Sequence, residues 1–124
     1  MVASVQEFFA ALIGADDGLV EPDRVAHRLR ATKPQLAEAL GLSEDAVFPK
    51  GDQSPSAAQA RLRDLVEIVG QVEAWAGTGP RAFAWYRSQP LPSFGGLTAE
   101  ALVKQGRASA VKSHLARIGV GGYA

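Results

Sequence analysis

Few residues in this chain have the type and spacing needed for catalysis. His27 and His114 are its only imidazoles, and neither has an acidic neighbour at a telling interval. A zinc centre draws on about four ligands, and no run of His, Asp and Glu approaches that. Asp16-Asp17-Gly18 begins like a calcium loop, but no Glu follows at the twelfth position to close it. The glycines at 95–96, 119 and 121–122 lack the Lys-Ser/Thr ending and the preceding strand of a phosphate loop. With no cysteine, thiol nucleophiles, disulfides and zinc fingers drop out together. The expectation is a protein that is not an enzyme, with no catalytic residue, no metal and no cofactor.

Two segments point instead to binding. In Gln35-Leu-Ala-Glu-Ala-Leu-Gly-Leu-Ser-Glu-Asp-Ala-Val47, a small Ala37 sits where two helices would touch, and Gly41 turns the chain four residues later. Leu36, Leu40, Leu42 and Val47 fill the space between, which is the packing demand of a helix-turn-helix. Lys33, Gln35, Ser43 and Lys50 are the candidate DNA contacts. Glu44 and Asp45 would repel phosphates, and Pro49 cuts the second helix short. The other segment is the C-terminal third, where Trp75, Phe83, Trp85, Tyr86 and Phe94 are interleaved with Pro90 and Pro92. It ends in Gly119-Val120-Gly121-Gly122-Tyr123-Ala124, either a frayed end or a slim plug anchored by Tyr123.

The elements that must position these residues are helices. Alanine is the commonest residue, with 22 copies, and alternating β-branched runs are missing. Val5, Phe8, Phe9 and Leu12 have helical spacing, ended by Gly14 and Asp16-Asp17-Gly18. A second helix starts at Pro22 with Val25 and Leu29 on one face. A third runs over Pro34–Leu40 with Thr32 as N-cap, and Ser43 caps a short one through Val47. Ser54-Pro55 opens the longest helix, with Ala58, Leu62, Leu65, Val66, Val69, Val72 and Ala76 as its apolar stripe. Arg61, Arg63, Asp64, Glu67 and Glu73 lie off that stripe. Gly77-Thr78-Gly79 stops it and Pro80 opens the next. Pro90-Leu91-Pro92 is non-helical, and Phe94-Gly95-Gly96 continues the loop. Thr98 caps a short helix holding Leu102 and Val103, Gly106 breaks it, and a last helix faces inward through Ala108, Val111, Leu115 and Ile118. Residues 119–124 are expected to leave the helix.

The sum is an all-α fold in two parts. Residues 1–54 form a helical, helix-turn-helix-like region, and residues 55–124 form a C-terminal helical part with a flexible tail over 119–124. A chain of 124 residues with 47% hydrophobic content can bury a real core. No apolar run approaches the roughly 18 residues of a membrane span, and the start is a poor signal peptide, so no membrane association and a cytoplasmic location are expected. Net charge is zero but unevenly placed: residues 79–124 hold six Lys and Arg against Glu100 alone. That imbalance points to an acidic partner surface, or to a plain solvated basic face.

The C-terminal residues carry a family resemblance. Ala84-Trp85-Tyr86, Pro90-Leu-Pro, Phe94-Gly-Gly-Leu-Thr-Ala-Glu-Ala-Leu-Val-Lys-Gln-Gly106, Val111–Leu115-Ala-Arg-Ile118 and the closing Gly-Gly-Tyr-Ala resemble the toxin-binding domain of Xre/MbcA/ParS-type antitoxins. The resemblance covers about residues 65–124; the segment 33–47 is similar, less specifically, to the Xre-like N-terminal part. It implies a bacterial type II toxin–antitoxin system whose antitoxin binds a RES-domain, NAD-consuming toxin and obstructs its active-site entrance with its C-terminal end. Hetero-oligomers with the toxin and repression of the operon's own promoter are implied too. Carried to this chain, the toxin-facing residues are Lys112, Arg117, Val120, Gly121, Gly122 and Tyr123. A DNA-binding repressor and a small structural adaptor are the competing readings.

Overall fold

A computed structural model describes residues 19–49 and 56–121, with the backbone alone given for Ser56 and for 118–121. Among these residues the chain is all-helical: α1 (Pro22–Leu29), α2 (Lys33–Leu40), α3 (Glu44–Val47), α4 (Ser56–Ala76), α5 (Gly79–Ser88), α6 (Ala99–Lys104) and α7 (Ala108–Gly121). One 3₁₀ turn, Pro92–Phe94, lies between α5 and α6, flanked by an isolated antiparallel bridge from Leu91 to Leu97. The stripe at 5–12, the Asp16-Asp17-Gly18 turn, Lys50 and residues 122–124 lie outside the described residues.

Local chemistry explains most boundaries. Thr32 and Gln35 form a reciprocal capping box at the start of α2: the Gln35 N–H donates to Thr32 Oγ1 at 3.2 Å, and the Thr32 N–H donates to Gln35 Oε1 at 2.9 Å. Ser43, Thr78 and Thr98 cap α3, α5 and α6 in the simpler way, each accepting from the N–H three residues on. The loop expected over 90–96 is interrupted by the 3₁₀ turn, because Pro92 has the φ that a first helical position requires. α1 ends at Arg30, a non-glycine residue held in the left-handed region at φ 54°.

Helix α4 is the axis around which α2, α3, α5, α6 and α7 pack. Its expected stripe is buried from Ala58 to Val72, and Ile68 is buried as well, so it is covered on a broader face than a surface helix would be. Both expected parts contribute to one core: Leu29, Leu36, Leu40 and Val47 from one side join Leu65, Tyr86, Leu102, Val111 and Leu115 from the other. Polar links tie these layers together. The Tyr86 hydroxyl donates to the Ala39 carbonyl at 3.1 Å, and burial pushes that hydroxyl's pKa well above its ordinary value. Gln59, only 7% exposed, brackets Val20: its Nε2 donates to the Val20 carbonyl and its Oε1 accepts from the Val20 N–H, both at 2.9 Å. Gln59 thus supplies the partners that a neighbouring backbone segment would otherwise provide.

One expectation is corrected at the C-terminal end. Residues 119–121 continue α7 rather than leaving it. Each glycine costs about 1 kcal/mol relative to alanine in a helix. No proline intervenes here, however, and extending a helix that is already formed closes one further backbone bond per residue.

Candidate functional site

The candidate surface is built on α7 and on the elements that hold it. Ala108, Val111 and Leu115 bury one side of this helix against α4 and α6. At 100° per residue, Ala110, His114, Arg117 and Gly121 form a second stripe at intervals of three and four, rotated away from the buried one, and Arg107 immediately precedes the helix. Lys112 falls on the opposite flank.

That placement separates the two cations expected to face a partner. Lys112 Nζ donates to Asp64 Oδ1 at 2.7 Å and is also paired with Glu67, so it bolts α7 to α4. Burial would lower its pKa, but the two carboxylates outweigh burial and raise it. Arg117 is exposed and has no ion-pair partner among the described residues. Val120 and Gly121 lie in the last turn of α7, and Gly122 and Tyr123 fall beyond the described residues.

The basic excess of the C-terminal third shrinks in the same way. Arg87 donates from Nε to Glu100 Oε1 at 2.6 Å and also pairs with Glu38 at 3.1 Å. Lys104 Nζ donates to Glu100 Oε2 at 2.7 Å. Glu100 is 8% exposed; burial pushes its carboxyl up, but the hydrogen bonds and charges of Arg87 and Lys104 prevail and hold it below the ordinary carboxylate range. Among the described residues of this third, the cations outside any ion pair are Arg81, Arg107 and Arg117.

Arg107 belongs to a cluster that no local pattern announces. Its guanidinium lies 5.7 Å from the centroid of the Phe94 ring, and the His114 imidazole meets that ring edge-on at 5.6 Å and 78°. Phe94 is presented by the 3₁₀ turn, after which Gly95 and Gly96 reverse the chain at φ 67° and 84°. A second aromatic pair, Trp75 and Trp85, meets edge to face at 5.8 Å; Trp75 is the one large hydrophobic residue exposed among those described, at 38%.

The residues selected for DNA are mostly engaged elsewhere. The Gln35 and Ser43 oxygens cap α2 and α3. Lys33 Nζ lies 5.3 Å from the Phe48 ring centroid. Helix α3 is a single turn of four residues, with Glu44 and Asp45 exposed on it. Behind it, Arg61 of α4 donates to the Leu40 carbonyl at 2.9 Å, closing the C-terminus of α2 from inside the fold.

Among the described residues no group of three His, Asp or Glu is placed to hold a metal ion, and no helix is long and apolar enough to cross a membrane. Comparison of the chain with protein-family models, curated proteins and solved structures finds no match.

Proposed function

We propose that this chain is the antitoxin of a type II toxin–antitoxin system, binding a RES-domain, NAD-consuming toxin in the cytoplasm as a hetero-oligomer and blocking its active site. The observation that carries the reading is the course of α7. Its described core contacts end at Leu115, yet the helix runs on to Gly121. Six residues at 1.5 Å each extend it about 9 Å. Gly119 and Gly121 keep that extension slim, a shape suited to entering a narrow cleft. The resemblance of residues 65–124 to antitoxin toxin-binding domains supplies the partner's class.

The test is co-expression with the product of the neighbouring gene, followed by mass determination of what co-purifies. The expected result is a stable complex that consumes no NAD⁺ until the antitoxin is removed. Deleting residues 119–124 should abolish protection while leaving the fold intact. A truncated chain that protects cells as well as the full one would overturn the blocking role. A DNA-binding repressor ranks second, because its recognition helix would be the one-turn, acidic α3.

A further inference from the structure

We infer that Phe94, Arg107, His114 and Arg117 form a docking face for a carboxylate-rich protein surface. The inference deepens the antitoxin reading and rests on it for the partner's identity, though not for the partner's chemistry. It starts from what remains after internal pairing. Lys104, Lys112 and Arg87 are neutralised within the fold, whereas Arg107, the residue that precedes α7, and Arg117 within it are exposed, with His114 between them in sequence. Helix α7 contains no acidic residue along its whole length, and neither does the segment 89–99 that carries Phe94. The nearest acid in sequence, Glu100, is buried and held by two cations.

The composition of the face selects a protein over a nucleic acid. Two exposed guanidiniums and a half-buried imidazole would neutralise few phosphates, and phosphate-driven affinity scales with that number. An arginine stacked on an aromatic ring is pre-oriented, and its planar fork matches a carboxylate with two parallel hydrogen bonds. Arginine and aromatic residues are also the types enriched in protein–protein contacts. The His114 imidazole meets the same ring edge-on, so Phe94 gathers both nitrogen-bearing side chains at one apolar spot.

The test titrates the full chain, followed by NMR at low salt, with a decapeptide rich in Glu and Asp and, in parallel, with a twelve-base-pair DNA duplex. The expected result is that the peptide shifts the signals of Phe94, Arg107, His114 and Arg117. An Arg107→Glu, Arg117→Glu variant should lose at least tenfold in peptide affinity, and Arg81→Glu, an exposed cation on another helix, should lose none. Absent or scattered shifts, equal loss in the Arg81→Glu variant, or tighter binding of the duplex to the same residues would overturn the assignment. The RES-domain protein separates the two readings. A wild-type complex that the double variant leaves unchanged overturns the docking face and leaves the antitoxin reading standing. No complex at all, with the peptide result intact, overturns the antitoxin reading and leaves the face.

Discussion

Arg87 reaches across from α5 to α6 and donates to Glu100 through both Nε, at 2.6 Å, and Nη2, at 3.3 Å, while the same guanidinium touches Glu38 on α2. Three helices therefore meet on one side chain. The Glu100 carboxyl titrates below its ordinary value of 4.5 because, although burial opposes ionisation, Arg87 and Lys104 favour it more. A depressed folded-state value means that this carboxylate's contribution is complete above about pH 4.5 and is lost as pH falls through the folded value. Acid unfolding followed by circular dichroism should show wild-type stability falling across that window. Glu100→Gln should flatten the acid limb and cost roughly 2 kcal/mol at pH 7, less than a fully buried pair because Arg87 is partly exposed.

Gly79 stands where α5 begins against the end of α1. A methyl group built there would lie 2.5 Å from the Arg28 carbonyl oxygen, and that oxygen belongs to backbone and cannot step aside. Gly79→Ala should destabilise by about 1–3 kcal/mol through overpacking, although alanine is the better helix former. Chemical denaturation measures this directly. A neutral or stabilising result would mean that α1 and α5 separate readily.

Arg30 offers the opposite case. Its φ of 54° is left-handed backbone, which an L side chain adopts at a cost of about 1 kcal/mol or more. Arg30→Gly should raise the thermal midpoint, the gain being limited to about 1 kcal/mol by the greater freedom of glycine in the unfolded chain.

Lys112 and Arg117 should separate cleanly under mutation. Lys112→Ala removes the partner of Asp64 and Glu67 and should lower stability by about 1 kcal/mol, with binding affected only through the fold. Arg117→Ala should leave stability within about 0.5 kcal/mol and weaken partner binding. Paired melting curves and pull-downs with the RES-domain protein read both outcomes.

Gly121→Phe tests the slim end of α7. The substitution should leave folding unchanged and relieve inhibition of NAD⁺ consumption by the partner. Undiminished inhibition would show that bulk at this position does not matter.

The order of residues along the chain was enough to determine the helices among the described residues and most of their limits. Thr32, Ser43, Thr78 and Thr98 cap through groups three residues away, and Pro22, Pro34 and Pro80 sit at first turns, so the relevant physics is contained within one helical turn. The apolar stripes of α4 and α7 are equally local and carry the all-helical fold with them. Only the tertiary structure decided which charges remain free. Lys112 finds Asp64 across 48 residues, Gln59 finds Val20 across 39, and Arg87 finds Glu100 across 13. No propensity or period encodes such pairings, because they depend on how whole helices are set against one another. The same setting places Arg107 and His114 about Phe94 and leaves Arg117 in solvent, turning a basic segment into one defined face.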